Sequence, residues 1–171
     1  MAELSQKIPL LKASELFEGL SSSDCEDIVS NAHARDYICR RVLFFAGDPI
    51  KEVLLLTEGW VMLTQVTADG TKVILRLCVP GEVVSSPALV QASTHSSTAI
   101  VLQACRLLVW DAATFEATLE RFPVLLRNAQ SILGRRLAEL QEQFCEVSAS
   151  SELSPRVVSL GVTQNRPMKV I

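Results

Sequence analysis

The chain has 171 residues, of which 49% are hydrophobic and 20% charged, with a formal net charge of −3 and a pI near 5.4. A chain of this length and composition forms about one domain with a packed core, which excludes wholesale disorder. Its mild acidity excludes a broad electrostatic surface for nucleic acid.

Five cysteines are spread along the chain: Cys25, Cys39, Cys78, Cys105 and Cys145. None are close enough for the CxxC spacing of zinc sites or for the cysteine groups that hold iron–sulfur clusters, so no metal site is predicted. The odd cysteine count, together with an N-terminus that lacks the apolar stretch of an export signal, predicts a cytoplasmic protein. The uncharged stretch 83–105 contains Pro87 and many polar side chains, so we predict that it does not cross a membrane.

Two short helices are predicted to open the fold. The first covers "ASELFEGL" and the second "SSSDCEDIVSNA", in which Ser23 and Glu26 have the spacing of a capping box. Five apolar side chains of these helices are expected to face a core: Leu16, Phe17, Leu20, Ile28 and Val29.

From about Tyr37 to Trp110 the sequence changes to short β-rich runs separated by turn signals. "VLFFAGDP" predicts a strand that leads into a turn, and Gly59 is expected to interrupt the next apolar run. The Asp69-Gly70 dipeptide predicts a type I′ hairpin turn, in which both central residues take positive φ. About eight short strands without helices between them predict a barrel or jelly roll.

Two further helices are predicted after the strands. Asp111 is placed to cap "AATFEATLERF", and Pro123 to begin a longer helix over about residues 123–148. The longer helix has an apolar seam with spacings of four and three residues, continued less regularly toward its start by Leu126 and Ala129. The regular part of the seam consists of Leu133, Leu137, Leu140, Phe144 and Val147. The seam and its polar flanks favour a helix that pairs with its copy in a second subunit, and a helix that lies on the barrel is the alternative.

Four glycines in the β-rich region are expected to occupy tight or left-handed turns: Gly47, Gly59, Gly70 and Gly81. They stand in "FFAGDP", "VLLLTEGWVMLT" and "DGTKVILRLCVPGEVV". This ordered set, with the seamed helix after it, resembles the cyclic-nucleotide-binding β-roll and dimerisation helix of the Crp/Fnr transcription regulators, over about residues 13–150. The resemblance implies a mainly β fold with flanking helices, a double-stranded β-helix (jelly roll) followed by a long dimerisation helix.

The same resemblance implies a division of the chain. Residues 1–122 are expected to form the sensor domain, 123–148 the dimerisation helix, and 149–171 a linker to a helix-turn-helix domain that is absent from this sequence. We therefore expect the effector-sensing and dimerisation portion of a bacterial-type regulator, a homodimer that controls DNA binding allosterically. The alternative is a stand-alone protein-interaction or dimerisation domain with no DNA role. No nucleotide-binding fingerprint or clustered catalytic residues occur, so no enzyme activity is expected.

The resemblance also locates an effector pocket after the Gly81-Glu82 bend. In nucleotide-binding members of the family, a glutamate engages the ribose and an arginine pairs with the cyclic phosphate. Those positions correspond to about Ser86 and to Ser96 or Ser97, and neither charge is present. A phosphate buried without a cation does not recover its desolvation energy, so we predict no binding of cyclic AMP or cyclic GMP. The residues expected to line the pocket are Gly81, Glu82, Ser85, Ser86, Ser96, Ser97 and Thr98.

Haem stays open as an alternative cofactor, with His33 and His95 as candidate axial ligands. His33 is expected to lie outside the strands, and His95, in "STHSST", to face solvent. Among the other side chains of the β-rich region, four are expected to be core packing residues: Cys78, Cys105, Trp60 and Trp110.

Overall fold

The computed structural model describes residues 8–85 and 94–150, and it confirms the mainly β fold with flanking helices. The described residues form six strands: β1 (His33–Tyr37), β2 (Val42–Phe44), β3 (Glu52–Val66), β4 (Lys72–Cys78), β5 (Val83–Ser85) and β6 (Thr98–Asp111). The helices are α1 (Ile8–Ala13), α2 (Ser22–Ser30), α3 (Ala112–Arg121) and α4 (Pro123–Ser150), and a 3₁₀ turn covers Glu15–Phe17. None of these helices combines the length and hydropathy that a membrane span requires.

The long strands β3 and β6 form the centre of an antiparallel sheet. They are paired from Glu52 opposite Asp111 to Thr64 opposite Thr98. β1 and β2 pair with β6, whereas β4 and β5 pair with β3, and β4 lies at an outer edge of the sheet. The described residues thus form six strands where eight or so short ones were predicted, and two of the six, β3 and β6, are long.

Gly59 accounts for the length of β3, because the strand continues through it instead of ending there. Gly59 has a φ of +82°, and the pairing register with β6 shifts on both sides of it. A Cβ at this position would lie 2.3 Å from the Ala104 carbonyl oxygen and 2.7 Å from the Cys105 Cα. Glycine is required here both by the backbone conformation and by the close approach of β6, and the irregular pairing lets a long strand bend.

The turn between β3 and β4 is not the predicted type I′ turn. Gly70 has a φ of +86°, but Asp69 does not take positive φ. The Gly70 amide donates to the Thr67 carbonyl oxygen, and the Thr67 amide donates to the Thr71 carbonyl oxygen, both at 2.9 Å. These hydrogen bonds define a hairpin with a three-residue loop, 68–70, in which the left-handed Gly70 follows the turn. Hydrogen bonds from the Thr67 hydroxyl and from Thr71 lower the pKa of Asp69 below its usual value.

The capping box of α2 lies two residues before the predicted one. The Asp24 amide donates to Ser21 Oγ at 3.1 Å, and the Ser21 amide donates to Asp24 Oδ2 at 3.3 Å. Ser21 has an extended backbone, whereas the predicted cap, Ser23, is already helical. Three successive serines made the choice of cap ambiguous in the sequence.

The predicted starts of the last two helices are confirmed. Asp111 Oδ2 accepts hydrogen bonds from the amides of Ala113 and Thr114 at 3.0 and 3.3 Å, which caps α3. Pro123 is the first residue of α4, where its missing N–H costs no helical hydrogen bond.

Alternating residues of β3 and β6 enter two different clusters of buried side chains. The helix core combines one set of these residues with the helices, and it contains the predicted Leu16, Phe17, Ile28 and Val29. Trp110 is fully buried there and donates its Nε1–H to the Ile28 carbonyl oxygen at 2.9 Å. The strand core consists of Phe44, Leu54, Leu56, Val61, Cys78, Val84, Ala99, Val101, Cys105, Leu107 and Val109.

Candidate functional site

The Gly81-Glu82 bend, which begins the predicted pocket, is fastened to the middle of β3. The Gly81 amide donates to the Leu56 carbonyl oxygen at 2.8 Å, and the Leu56 amide donates to the Glu82 carbonyl oxygen at 2.9 Å. The bend also closes on itself, since the Val79 amide donates to Glu82 Oε2 at 2.9 Å. Gly81 has a φ of +93°, as the predicted left-handed turn requires.

Arg76 contacts the same bend through its side chain, and the sequence analysis missed it. The guanidinium donates from Nη1 to Glu82 Oε1 at 3.3 Å, and from Nη2 to the Val83 carbonyl oxygen at 3.1 Å and to Cys78 Sγ at 3.0 Å. The side chains of Arg76 and Glu82 are only 24% and 31% exposed. The sequence does carry a signal for Arg76. It is a single arginine in the apolar run "KVILRLC", two residues before Cys78, which was predicted to be buried.

The predicted serine and threonine positions differ in burial. Ser85 is buried and donates its hydroxyl to the Glu52 carbonyl oxygen at 3.4 Å, and Ser97 is also buried, at 8% exposed. Thr98 is partly buried, and its Oγ1 accepts a hydrogen bond from the Ala46 amide at 3.1 Å, whereas Ser96 is exposed. The remaining predicted position, Ser86, lies outside the described residues.

The pairing of β3 shows how these positions are distributed. Ser85 lies opposite Leu54, near the start of β3, and Thr98 lies opposite Thr64, near its end. Gly81, Glu82 and Ser85 are thus grouped beside the first half of β3, and the positions from Ser96 to Thr98 beside its end. Both groups adjoin the strand core, to which the neighbouring residues Val84 and Ala99 belong.

His95 does not face solvent as expected. Its ring stacks on Phe44, with 3.6 Å between the ring centroids and 10° between the ring planes. The His95 amide donates to the Asp48 carbonyl oxygen at 2.9 Å, and the Gly47 amide donates to the His95 carbonyl oxygen at 2.8 Å. Burial lowers the pKa of His95, and the Asp48 carboxylate partly opposes this shift.

The other histidine considered for haem, His33, lies in β1 opposite Val109, not outside the strands as expected, and it is exposed. Over residues 8–85 and 94–150, no group of three or more His, Cys, Asp or Glu side chains is arranged to hold a metal ion. Haem ligation stays a hypothesis.

Three of the four predicted packing residues are buried. Cys78, Cys105 and Trp110 belong to the two cores, and burial raises the pKa of the Cys105 thiol. Trp60 is 44% exposed, so its predicted packing role is wrong. It follows Gly59 at the point where the pairing with β6 is irregular, and the next residue, Val61, is fully buried.

Helix α4 presents two different apolar faces. Leu125, Ala129 and Ile132 are buried in the helix core, so Ala129 does not continue the seam as predicted. The seam residues Leu126, Leu137 and Leu140 are 39%, 60% and 59% exposed, and Leu133 is partly buried. The side chains of the remaining seam residues, Phe144 and Val147, lie outside the described part of the chain. The early turns of α4 therefore pack into the helix core, while the exposed seam is formed by other residues.

A family model described as "Cyclic nucleotide-binding domain" matches residues 35–122, more than half of the chain. The chain therefore belongs to the cyclic nucleotide-binding domain family. Within it, the curated "Cyclic AMP receptor protein" of Thermus thermophilus is 28% identical over 129 residues, which cover 75% of this chain and 60% of that protein. The predicted resemblance to Crp/Fnr regulators is thus confirmed.

Solved structures agree with this assignment. The Thermus thermophilus catabolite activator protein superposes with a TM-score of 0.72 at 27% identity, covering 79% of this chain and 63% of that chain. The sensor domain of the transcriptional regulator DNR from Pseudomonas aeruginosa has a TM-score of 0.65 at 17% identity, covering 91% and 100%, and shows the shared fold. The chain spans less than two thirds of the length of the two Thermus proteins.

Proposed function

We propose that this chain is the effector-sensing and dimerisation portion of a Crp/Fnr-type transcription regulator, cytoplasmic and without enzymatic activity. Relatives that carry functional names are a cyclic AMP receptor protein, a catabolite activator protein and the sensor domain of a transcriptional regulator. In this proposal residues 1–122 sense the effector, 123–148 pair two subunits, and 149–171 lead toward a helix-turn-helix domain that contacts DNA. The effector acts by favouring one arrangement of the paired helices.

The observation that carries the proposal is a chain of hydrogen bonds between the pocket bend and α4. The Ser14 hydroxyl donates to the Gly81 carbonyl oxygen, and the Ser14 carbonyl oxygen accepts from the Phe17 amide at 3.0 Å. Asn128 of α4 then donates from Nδ2 to the carbonyl oxygens of Leu16 and Glu18 at 2.9 and 2.8 Å. A displacement of the bend therefore has a bonded route to the helix that is proposed to dimerise.

The exposed seam of α4 supports pairing between two copies. Leu137 and Leu140 expose well over half of their side chains within the single chain. Pairing with the same helix of a second subunit would remove these side chains from water, which is the usual reason for an a/d seam. We propose that Leu126, Leu133, Leu137, Leu140 and Phe144 form the dimer interface.

Light scattering of the purified chain tests this proposal. We expect the mass of a dimer for the wild type and of a monomer for Leu140→Glu, because that substitution places two carboxylates in the apolar seam. Gln141→Glu adds the same charge at the exposed position next to the seam and should stay dimeric. A Leu140→Glu variant that remains a dimer, or a wild type that is monomeric at every concentration, would contradict helix pairing.

A stand-alone protein-interaction domain is the second candidate, favoured by the apolar side chains of the edge strand β4. Four of them are at least 38% exposed: Val73, Ile74, Leu75 and Leu77. An exposed apolar edge strand is a surface suited to pairing with another chain. If this candidate is right, Ile74→Lys will disrupt association in the same scattering experiment and Leu140→Glu will not.

The pocket itself is proposed to include Gly81, Glu82, Ser85, Ser97 and Thr98. The buried side chains among them, Ser85 and Ser97, offer neutral hydroxyl groups. Hydroxyl groups hydrogen-bond a ligand but do not balance the charge of a cyclic phosphate. Because the charged partners that the family uses for the ribose and the cyclic phosphate are missing at Ser86 and at Ser96 or Ser97, we propose that the effector is not a cyclic nucleotide.

A further inference from the structure

Arg76 lies on the same face of the sheet as the buried strand core. Leu63 of β3 is opposite Arg76 on one side and opposite Ala99 on the other. Residues directly opposite one another in neighbouring strands point to the same face, and Ala99 is fully buried. Cys78, two residues after Arg76, is fully buried on this face as well. The sheet therefore directs a guanidinium toward an otherwise apolar interior.

The contacts of this guanidinium leave its charge weakly balanced. Cys78 Sγ and the Val83 carbonyl oxygen are neutral partners, and among the described residues the carboxylate that contacts it is that of Glu82, 3.3 Å away. Charge-assisted N–H···O bonds are normally about 2.7–2.9 Å long, so this pair is longer than a strong ion pair. An arginine has five N–H donors in a planar fork, which suits a carboxylate or phosphate group.

We propose that Arg76 is the cation of the effector site and that the effector is a small organic anion carrying a carboxylate or a phosphate group. The inference deepens the sensing function proposed above and rests on it. Ala99, a small buried side chain, lies on this face opposite Leu63, and Ser97, two residues before it, is buried as well. An apolar body of the ligand would be accepted by the neighbouring strand core.

Binding of an anion at Arg76 competes with Glu82 for the guanidinium. Glu82 would keep its hydrogen bond from the Val79 amide, at 2.9 Å, and lose its contact with Arg76. The bend that contains Glu82 would then lose one of the contacts that hold it in place, and its Gly81 carbonyl is the acceptor of the Ser14 hydroxyl. When the anionic group of the ligand replaces Glu82 as the partner of Arg76, ligand binding is thus linked to the hydrogen-bond chain that runs from the bend to α4.

Nuclear magnetic resonance titration of the ¹⁵N-labelled full chain tests the site, with phenyl phosphate and benzoate as probes. We expect saturable shifts of the Gly81, Glu82 and Ser97 amides with at least one probe. Arg76→Gln should weaken binding about tenfold or more, the effect of losing a hydrogen bond to a charged group. Arg35→Gln removes an arginine from an exposed ion pair with Glu52 and should leave binding unchanged.

Glu82→Gln provides a second measurement that does not depend on Arg76 variants folding. It removes the competing carboxylate but keeps an oxygen for the Val79 amide, so the probe should bind several-fold more tightly. Weaker binding in Glu82→Gln, unchanged binding in Arg76→Gln, or no saturable shift with either probe would overturn the inference. The scattering experiment on Leu140→Glu is independent of these results, so a dimeric chain without anion binding would leave the proposed function standing and remove only the anion site.

Discussion

The Ser14 hydroxyl donates a hydrogen bond to the Gly81 carbonyl oxygen, 67 positions further along the chain. Ser14 is buried, and a Cβ added at Gly81 would lie 3.7 Å from the Cα and Cβ of Ser14. The N-terminal helical segment therefore meets the bend through direct backbone packing as well as the hydrogen bond. This contact joins the Gly81-Glu82 bend to the N-terminal segment that includes the 3₁₀ turn Glu15–Phe17. Asn128 of α4 hydrogen-bonds to that turn at the Leu16 carbonyl oxygen.

Replacing Ser14 by alanine should reduce the free energy of unfolding by about 1–3 kcal/mol, because it removes the partner of a largely buried carbonyl group. Urea unfolding followed by tryptophan fluorescence measures the change. Ser22→Ala, whose hydroxyl accepts an exposed hydrogen bond from Lys12, should change stability by no more than about 0.5 kcal/mol. Equal losses in the two variants would show that the Gly81 contact is not a specific stabiliser.

Gly59→Ala should destabilise the fold by about 3 kcal/mol or more. The new methyl group would lie 2.3 Å from the Ala104 carbonyl oxygen, which is backbone and cannot rotate away. Gly47→Ala is the matched control, since Gly47 also has positive φ but no heavy atom of the described residues lies within 4 Å of the added Cβ, and it should cost about 1 kcal/mol. Thermal unfolding of both variants provides the comparison, and similar melting temperatures would contradict the close-approach argument.

The parts of the fold that were predicted well have local signals. The Asp111 cap, the start of α4 at Pro123 and the left-handed glycines each depend on a few neighbouring residues, so the sequence indicates them directly. The continuity of β3 could not be predicted in this way. Gly59 has the appearance of a strand break, and only the close backbone of β6 explains why the strand passes through it.

The candidate site was predicted less completely, because its contacts join distant parts of the chain. Gly81 and Glu82 were predicted from their local bend. Arg76 forms an ion pair with Glu82, and the inward orientation of its side chain depends on the pairing of β4 with β3. His95 was expected in solvent because its neighbours are polar, but Phe44, some fifty positions earlier, provides the surface on which it stacks.

The stacked His95 should make stability depend on pH. Burial lowers its pKa in the folded state below the usual value of about 6.5, so the unfolded chain binds the proton more readily. The stabilisation is fully present above about pH 6.5 and is lost as the pH falls toward the folded-state pKa. Urea unfolding at about pH 7.5 and pH 5.5 measures the free energy of unfolding at each pH. Its decrease from the higher to the lower pH should be smaller in His95→Gln than in the wild type or in the control His33→Gln. A loss of equal size in all three proteins would exclude His95 as its source.

Cyclic AMP and cyclic GMP should give no binding heat at micromolar concentrations in calorimetry with this chain. Residues 83–105 contain no Asp, Glu, Lys or Arg, and of the two positions where the resemblance implies an arginine, Ser97 is buried and Ser96 is exposed. Arg76 lies on β4 opposite Leu63, not at the position where the family's arginine pairs with the cyclic phosphate. The double variant Ser86→Glu with Ser97→Arg should gain binding, because it supplies both missing groups, while Ser86→Glu with Ser96→Arg places the arginine at an exposed neighbour and should not. Micromolar binding by the wild-type chain would show that the roll neutralises a cyclic phosphate without these two charges.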